Sequence, residues 1–392
     1  MSAYDVEAVR RRFSALGGPV AFFDTPGGTQ VPDAVRDAVA TAMRDAAANL
    51  GGRFATSLRA AEIVTGARAA AGRFLGCAAE EVVLGANMST LNFALTRTFA
   101  RELEAGDEVL VTRLDHDAGV SPWMALAEDL GIVVRPVDID PETCRLDLDD
   151  LERQLSPRTR VVAFAWAANS VGTIVDAARV CELARAAGAL AWIDATHAAA
   201  HVPVDVEAIG ADVLLCSPYK FCGPHLGLAY VRAQAAAAWR PYKVRPAPSE
   251  PFGSRFETGT GPYEQLAGLS AALAYWAEVD AAGAGHAHAR ALGQRFLDGL
   301  PSGVRVVGPP TMEDRVPTFL LDVDGRDALD VADGLIARDL YASASDGFYC
   351  VLLKERIGLT AATRVGLFHY TTADEVDRLL AALGEIAGAG PR

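Results

Sequence analysis

Seven short apolar runs punctuate the first two-thirds of the chain: Val82–Leu84, Glu108–Val111, Ile132–Val134, Val161–Phe164, Ala189–Ile193, Asp212–Leu215 and Leu228–Val231. They are nearly unbroken rather than alternating, the pattern of strands buried on both faces. Helically spaced stretches lie between most of them, as at 90–104, 119–130 and 176–187. Strands alternating with helices predict an α/β fold with a mostly parallel seven-stranded sheet covered by helices. Upstream, residues 4–16 (Val6, Val9 and Phe13, with Arg10–Arg12 opposite), 32–47 and 57–75 read as helices, and Phe22–Phe23 forms an apolar run that ends in Pro26-Gly27-Gly28.

Beyond Pro262 the period changes. Helices are expected at 264–278 and 286–300, strands near 304–307 and 317–322, and a last helix at 373–387. This describes a smaller α+β domain. The expected division is an N-terminal helix over 1–20 packing on the small domain, a large domain over 21–262 and the small domain over 263–392, with the tail Ala387–Arg392 fraying.

Composition narrows the function. With 392 residues, 51% hydrophobic and 22% charged, the chain is globular and not disordered. A net charge of −14 without a basic cluster excludes nucleic acid and anionic membrane as natural partners. Six cysteines, none in Cys-x-x-Cys spacing, argue against a disulfide framework and a cysteine-bound metal. The N-terminus lacks a signal-peptide pattern, and no apolar run approaches the ~18 residues of a membrane span; a cytoplasmic location is expected. His286 and His288 lack a third ligand nearby and read as a helix start, so no metal is expected.

In a parallel sheet, ligands bind beyond the carboxyl ends of the strands. Those positions hold Ser89-Thr90 at a helix start, Asp115-His116-Asp117, Asn169-Ser170, Asp194-Ala195-Thr196-His197 and Ser217-Pro218-Tyr219-Lys220. Each alone has an ordinary explanation: a cap, a turn, a surface lysine. Here a Ser89-Thr90 cap needs no ligand. Together they place a lysine, a carboxylate, an imidazole, an amide and a helix N-terminus on one rim. A loop lysine can form a Schiff base, a helix N-terminus suits a phosphate, and a carboxylate can hold a pyridinium nitrogen protonated. That is the set pyridoxal 5'-phosphate requires. A nicotinamide-linked oxidoreductase would need a Gly-x-Gly-x-x-Gly after a first strand, and there is none.

From Phe23 to Leu383 the chain resembles the fold-type I pyridoxal-phosphate enzymes of aminotransferase class V, especially the SufS-like cysteine desulfurases. The most specific stretch runs from Trp192-Ile-Asp-Ala-Thr-His through Cys216-Ser-Pro-Tyr-Lys-Phe-Cys-Gly-Pro-His-Leu-Gly to Arg232. The resemblance implies that Lys220 forms the Schiff base and moves the Cα proton, Asp194 pairs with the ring nitrogen and His116 stacks on the ring. It implies Asn169 and His197 near the phenolic oxygen, and Met88, Ser89, Ser217 and Tyr219 at the phosphate. Arg364 sits where the family binds the substrate carboxylate, and Thr260 matches a residue that reaches the phosphate of a neighbouring subunit, so a homodimer with shared sites is implied. Cys350 lies where the family carries a persulfide on the way to a sulfur-acceptor protein. Cys216 and Cys222, which flank this lysine segment, match no functional position and read as packing.

The sequence departs from the family pattern near that cysteine. Ser345, Phe348 and Tyr349 stand where an arginine and two histidines are usual, which removes charge that lowers a thiol pKa. Tyr219 replaces a histidine and His197 a glutamine. The expected activity is conversion of L-cysteine to L-alanine. The alternative is another class V reaction on an amino acid without a protein thiol: transamination, racemisation or C–S lysis. A cofactor-binding module without turnover is the remaining reading.

Overall fold

In the computed structural model, residues 4–388 are described. The expected sheet is present with all seven strands: β1 (Val82–Gly85), β2 (Glu108–Thr112), β3 (Val133–Val137), β4 (Thr159–Ala165), β5 (Leu190–Asp194), β6 (Val213–Cys216) and β7 (Gly227–Val231). Their order is β1-β7-β6-β5-β4-β2-β3. The pairs along β3, β2, β4, β5 and β6 are parallel, whereas β7 runs antiparallel to both of its neighbours.

The unbroken apolar runs are explained by burial on both sides. Val83, Val109, Val111, Val161, Ala163, Trp192, Val213 and Leu215 face one apolar layer. Their neighbours Val82, Leu84, Leu110, Val162, Phe164, Ile193 and Leu214 face the other. Side chains alternate across a strand, so a strand with apolar residues at every position needs a cover on each face.

A second, antiparallel sheet of four strands, β8 (Val304–Val307), β9 (Thr318–Val323), β10 (Ser343–Ser345) and β11 (Ala362–Gly366), is ordered β10-β11-β9-β8. Phe319, Leu321, Val323 and Val365 bury against Val376, Leu379 and Leu383 of the final helix, Ala373–Gly388. The fraying expected from Ala387 onward falls mostly outside the described residues; Ala387 and Gly388 are still helical. Residues Ala21–Phe22 pair in parallel with Leu340–Tyr341, which brings the Asp24–Gly28 turn to this second sheet.

Two local expectations are corrected. The helix read over 4–16 covers only Val6–Arg10, followed by a tighter turn at Ser14–Gly17. The helix stops at Arg10, whose side chain binds the Tyr370 carbonyl and Glu375, so tertiary contacts override the local period. The cap of the helix Met88–Phe99 is Asn87, whose Oδ1 accepts the Thr90 N–H at 2.7 Å, rather than Ser89 or Thr90. Among the described residues, no helix is long and apolar enough to cross a membrane, and no cluster of His, Cys, Asp or Glu could hold a metal.

Candidate active site

The carboxyl ends of β2, β4, β5 and β6 converge with the Asp24–Gly28 turn, β11 and the turn Ser345–Cys350. Asp194 is the last residue of β5, in register with Ala165 on β4 and Leu215 on β6. Its Oδ1 accepts the Thr196 N–H at 2.8 Å, and among the described residues no donor reaches Oδ2. Just beyond β2, Asp115 ties two strand ends together. It accepts from Thr112 N and Oγ1 at 2.8 and 2.9 Å and from Ala165 N at 2.5 Å. Burial pushes its carboxyl up to about 7.

His116 follows as the N-cap of the helix Asp117–Leu130, its Nδ1 accepting the Ala118 N–H at 3.0 Å. That bond assigns the neutral ring's proton to Nε2. Burial lowers its pKa; the Asp194 charge opposes this and Lys220 adds to it. One face of the ring stacks on Tyr349 at 5.3 Å and 27°.

Lys220 ends a short turn, Pro218–Lys220, that Pro218 opens directly after β6 and Ser217. Its Nζ donates to the Pro26 carbonyl. Burial, then the Arg364 guanidinium, pushes the amine down to about 8, while Asp194, Asp24 and Cys350 pull the other way. The Tyr219 carbonyl accepts from Thr29 N and Oγ1 at 3.0 and 3.1 Å, which fastens the lysine turn to the N-terminal segment. The Tyr219 ring lies flat on His225, with centroids 4.7 Å apart at 7°, and burial raises its pKa.

Ser217 Oγ accepts the Met88 N–H at 3.0 Å and so keeps its own hydroxyl proton to donate. At the helix start, Met88 N is taken by Ser217, Thr90 N by the Asn87 side chain and Leu91 N by the Asn87 carbonyl. Among the described residues, no partner takes the Ser89 N–H. Asn92 on the same helix accepts from Trp192 Nε1 and donates to the Ala118 carbonyl, both at 2.8 Å, joining this helix to β5 and the His116 helix.

Arg364, on β11, is 5% exposed. It donates to the Asn169 carbonyl at 3.1 Å and to Asp24 Oδ1 at 3.2 Å, and its guanidinium lies 4.0 Å over the Phe348 ring. Its buried Nε has no partner among the described residues. Beside it, a cavity of about 350 Å³ is lined by Asp24, Gly28, Tyr341 and Ser343, and Ser343 faces Arg364 across β10 and β11.

Cys350 is 1% exposed. Its Sγ donates to Asn169 Oδ1 at 3.0 Å, and Asn169 Nδ2 donates to the Phe348 carbonyl at 3.1 Å. Burial pushes the thiol up to about 11. Gly347, Phe348 and Tyr349 all have positive φ, at 152°, 53° and 63°. Two successive non-glycine residues in that region are strained. The turn is held by Ser345 Oγ on Phe348 N at 3.1 Å and by Asp117 N on the Tyr349 carbonyl at 2.7 Å.

The structure thus brings together Lys220, Asp194, His116, Asn169, His197, Cys350 and Arg364, with Met88, Ser89 and Ser217 around the helix start and Tyr219 beside Lys220. His197 is buried with its Nε2 on Thr318 Oγ1 at 2.9 Å, and burial keeps it neutral. Thr260 stands apart on an exposed segment after Phe252–Phe256. Sequence reasoning missed Asp24 and Thr318. The Asp24-Thr25-Pro26-Gly27-Gly28 turn was visible and its acid unassigned; nothing in the sequence marks Thr318.

These groups fit pyridoxal phosphate on their own terms. Among the described residues, Thr196 Oγ1 and Arg364 Nε are buried without partners, the Ser89 N–H and the Ser217 hydroxyl are open donors at a helix N-terminus, and one Asp194 oxygen has no donor.

The comparisons agree on the class. The family model Aminotransferase class-V matches residues 21–379, and the chain belongs to that family of pyridoxal-phosphate enzymes. The probable cysteine desulfurase 2 of Mycobacterium leprae is 31% identical, over 98% of this chain and 97% of its own. A cysteine desulfurase of Synechococcus elongatus is 29% identical over 98% of this chain, which spans 64% of that longer protein. The apo structure of cysteine desulfurase from Thermococcus onnurineus NA1 shares the fold, with a TM-score of 0.91 at 24% identity over 99% of each chain.

Proposed function

We propose that this protein is a cysteine desulfurase that converts L-cysteine to L-alanine and leaves the sulfur as a persulfide on Cys350. The observation that carries the reading is the Asn169 junction. Its side-chain oxygen takes the Cys350 thiol and its carbonyl takes Arg364, so nucleophile and carboxylate anchor meet at one residue.

Pyridoxal phosphate, when bound, joins the substrate amine and draws electrons from Cα. Lys220 and Asp194 would hold it at the imine carbon and ring nitrogen, with His116 against the ring face that Tyr349 leaves open. His197 and the second Asn169 N–H would face the phenolic oxygen, and Ser89, Ser217 and Tyr219 would serve the phosphate, with Met88 fixing Ser217 through its N–H. Arg364 grips the substrate carboxylate through the unpaired Nε and a neighbouring N–H, a two-point contact that fixes orientation. Lys220, with its amine pushed down to about 8, exchanges a proton at Cα near neutral pH. Cys350 attacks the substrate sulfur. The S–S bond forms and the Cβ–S bond breaks, its electron pair staying with carbon. Cβ takes up one proton in place of the one Cys350 gives up, so cysteine plus thiol becomes alanine plus persulfide.

Further parts of the proposal are a homodimer in which Thr260 completes the partner's phosphate site, a sulfur-acceptor protein and a cytoplasmic location. The division into residues 1–20, 21–262 and 263–392 belongs to it as well. The deciding experiment incubates the cofactor-loaded protein with L-cysteine and measures alanine, pyruvate and the mass of the Cys350 peptide. Alanine with one added sulfur atom on Cys350, both lost in Cys350→Ala, is expected. Pyruvate as the main product, or full alanine release by Cys350→Ala, overturns the proposal.

A further inference from the structure

The thiol poses a chemical problem. Cys350 is 1% exposed, and the arginine and histidines that resemblance expects beside it are absent. The turn that carries it supplies no cation: Ser345 Oγ is spent on the Phe348 N–H, Phe348 covers Arg364, and Tyr349 stacks on His116. A thiolate in such surroundings needs a donor.

Residues 169–170, on the large-domain side of the sulfur, answer this. Asn169 Oδ1 accepts from Sγ at 3.0 Å. The next residue, Ser170, is 0% exposed; among the described residues its hydroxyl makes no fully formed hydrogen bond, yet it lies close enough to Cys350 to act on the thiol. A buried hydroxyl without a partner is costly and rare, and in a native fold calls for a role. We propose that Asn169 positions the Cys350 sulfur and Ser170 activates it, the amide oxygen holding the S–H of the resting thiol and the Ser170 hydroxyl donating to the sulfur once that proton leaves. This rests on the desulfurase reading for its purpose but not for its geometry.

The charges around the sulfur are consistent with such a donor. Ser170 is the strongest influence lowering the thiol pKa against burial; Arg364 helps, while Asp115 and Asp194 act the other way. Lys220 also lies within electrostatic reach of Cys350. A hydrogen bond that forms only to the charged sulfur favours that form. It also explains how a neutral neighbour stands in for the missing cations.

The test compares wild type, Ser170→Ala and Ser170→Thr as cofactor-loaded proteins. The rate of alkylation at Cys350 by iodoacetamide is followed against pH by peptide mass, which needs no turnover. Ser170→Ala is expected to raise the apparent thiol pKa by about one unit, and to slow Cys350 alkylation and persulfide formation near neutral pH by about ten-fold. Its melting temperature should be unchanged or higher, because an unsatisfied hydroxyl is removed. Ser170→Thr, which keeps the hydroxyl, should restore the wild-type profile. An unshifted pH profile in Ser170→Ala, or a lowered melting temperature with no shift, overturns the proposal. If the shift appears while wild type releases no alanine from L-cysteine, the Ser170 role stands and the desulfurase reading falls.

Discussion

Arg364 is shared between two acids, one in the protein and one in the proposed substrate. Asp24 Oδ1 holds one N–H at 3.2 Å, a long contact for a charged pair, and the buried Nε is open. A substrate carboxylate that takes the open donor competes with Asp24. Asp24→Asn should therefore tighten binding of 3-mercaptopropanoate, a carboxylate without the amine, by about three- to ten-fold in equilibrium titration. Weaker binding would show that Asp24 orients the guanidinium instead. Arg364→Lys loses the planar two-point grip, and KM for L-cysteine should rise about ten- to a hundred-fold with a smaller change in kcat. At this scale much was legible. Lys220, Asp194, His116 and Arg364 carry chemistry that side-chain type and strand-end position announce. Asp24, Thr318 and Ser170 have ordinary types in ordinary places, and only the packed structure shows what faces them.

Among the elements, the helix Met88–Phe99 owes its position to Asn92, which bonds Trp192 on β5 and the first turn of the His116 helix. Asn92→Ala would strand an indole N–H and a carbonyl in the core. A loss of about 2–4 kcal/mol is expected from urea denaturation, with weaker cofactor retention as the helix N-terminus loosens. The strands were readable because burial on both faces writes an unbroken apolar run. The helix over 4–16 was overread because the Arg10 side chain is held by Tyr370 and Glu375, partners some 360 residues away. The turn Gly347–Cys350 was unreadable for a related reason. Phe348 and Tyr349 adopt positive φ against their own preference, held by Asn169 and Asp117.

For the whole molecule, acidity is the sensitive variable. His197 and His369 are nearly fully buried, bonded to Thr318 and Tyr275, and burial drives both pKa values well below the usual 6.5. Below that pH the unfolded chain takes up protons that these rings refuse, so stability falls as pH drops. The loss grows between neutral pH and pH 5 with each proton that the unfolded rings take up and the buried rings refuse. Urea midpoints at pH 7 and pH 5 measure it, and His369→Gln should flatten the difference by about one ring's share. Assembly is the scale least visible in a single chain. Thr260 is exposed, and among the described residues it makes no hydrogen bond within its own subunit; a partner surface leaves no periodic trace in sequence. The proposed shared site predicts that Thr260→Ala weakens cofactor retention while leaving the melting temperature of the cofactor-free protein unchanged, and that sedimentation reports two chains per particle.

A sulfur enclosed as Cys350 is has few visitors. Peroxide and bulky disulfides have little access to a thiol that is 1% exposed, so its reduced form should outlast that of a surface cysteine. The same enclosure constrains departure: a persulfide formed there, as proposed, would be handed on only after the Gly347–Tyr349 turn moves aside.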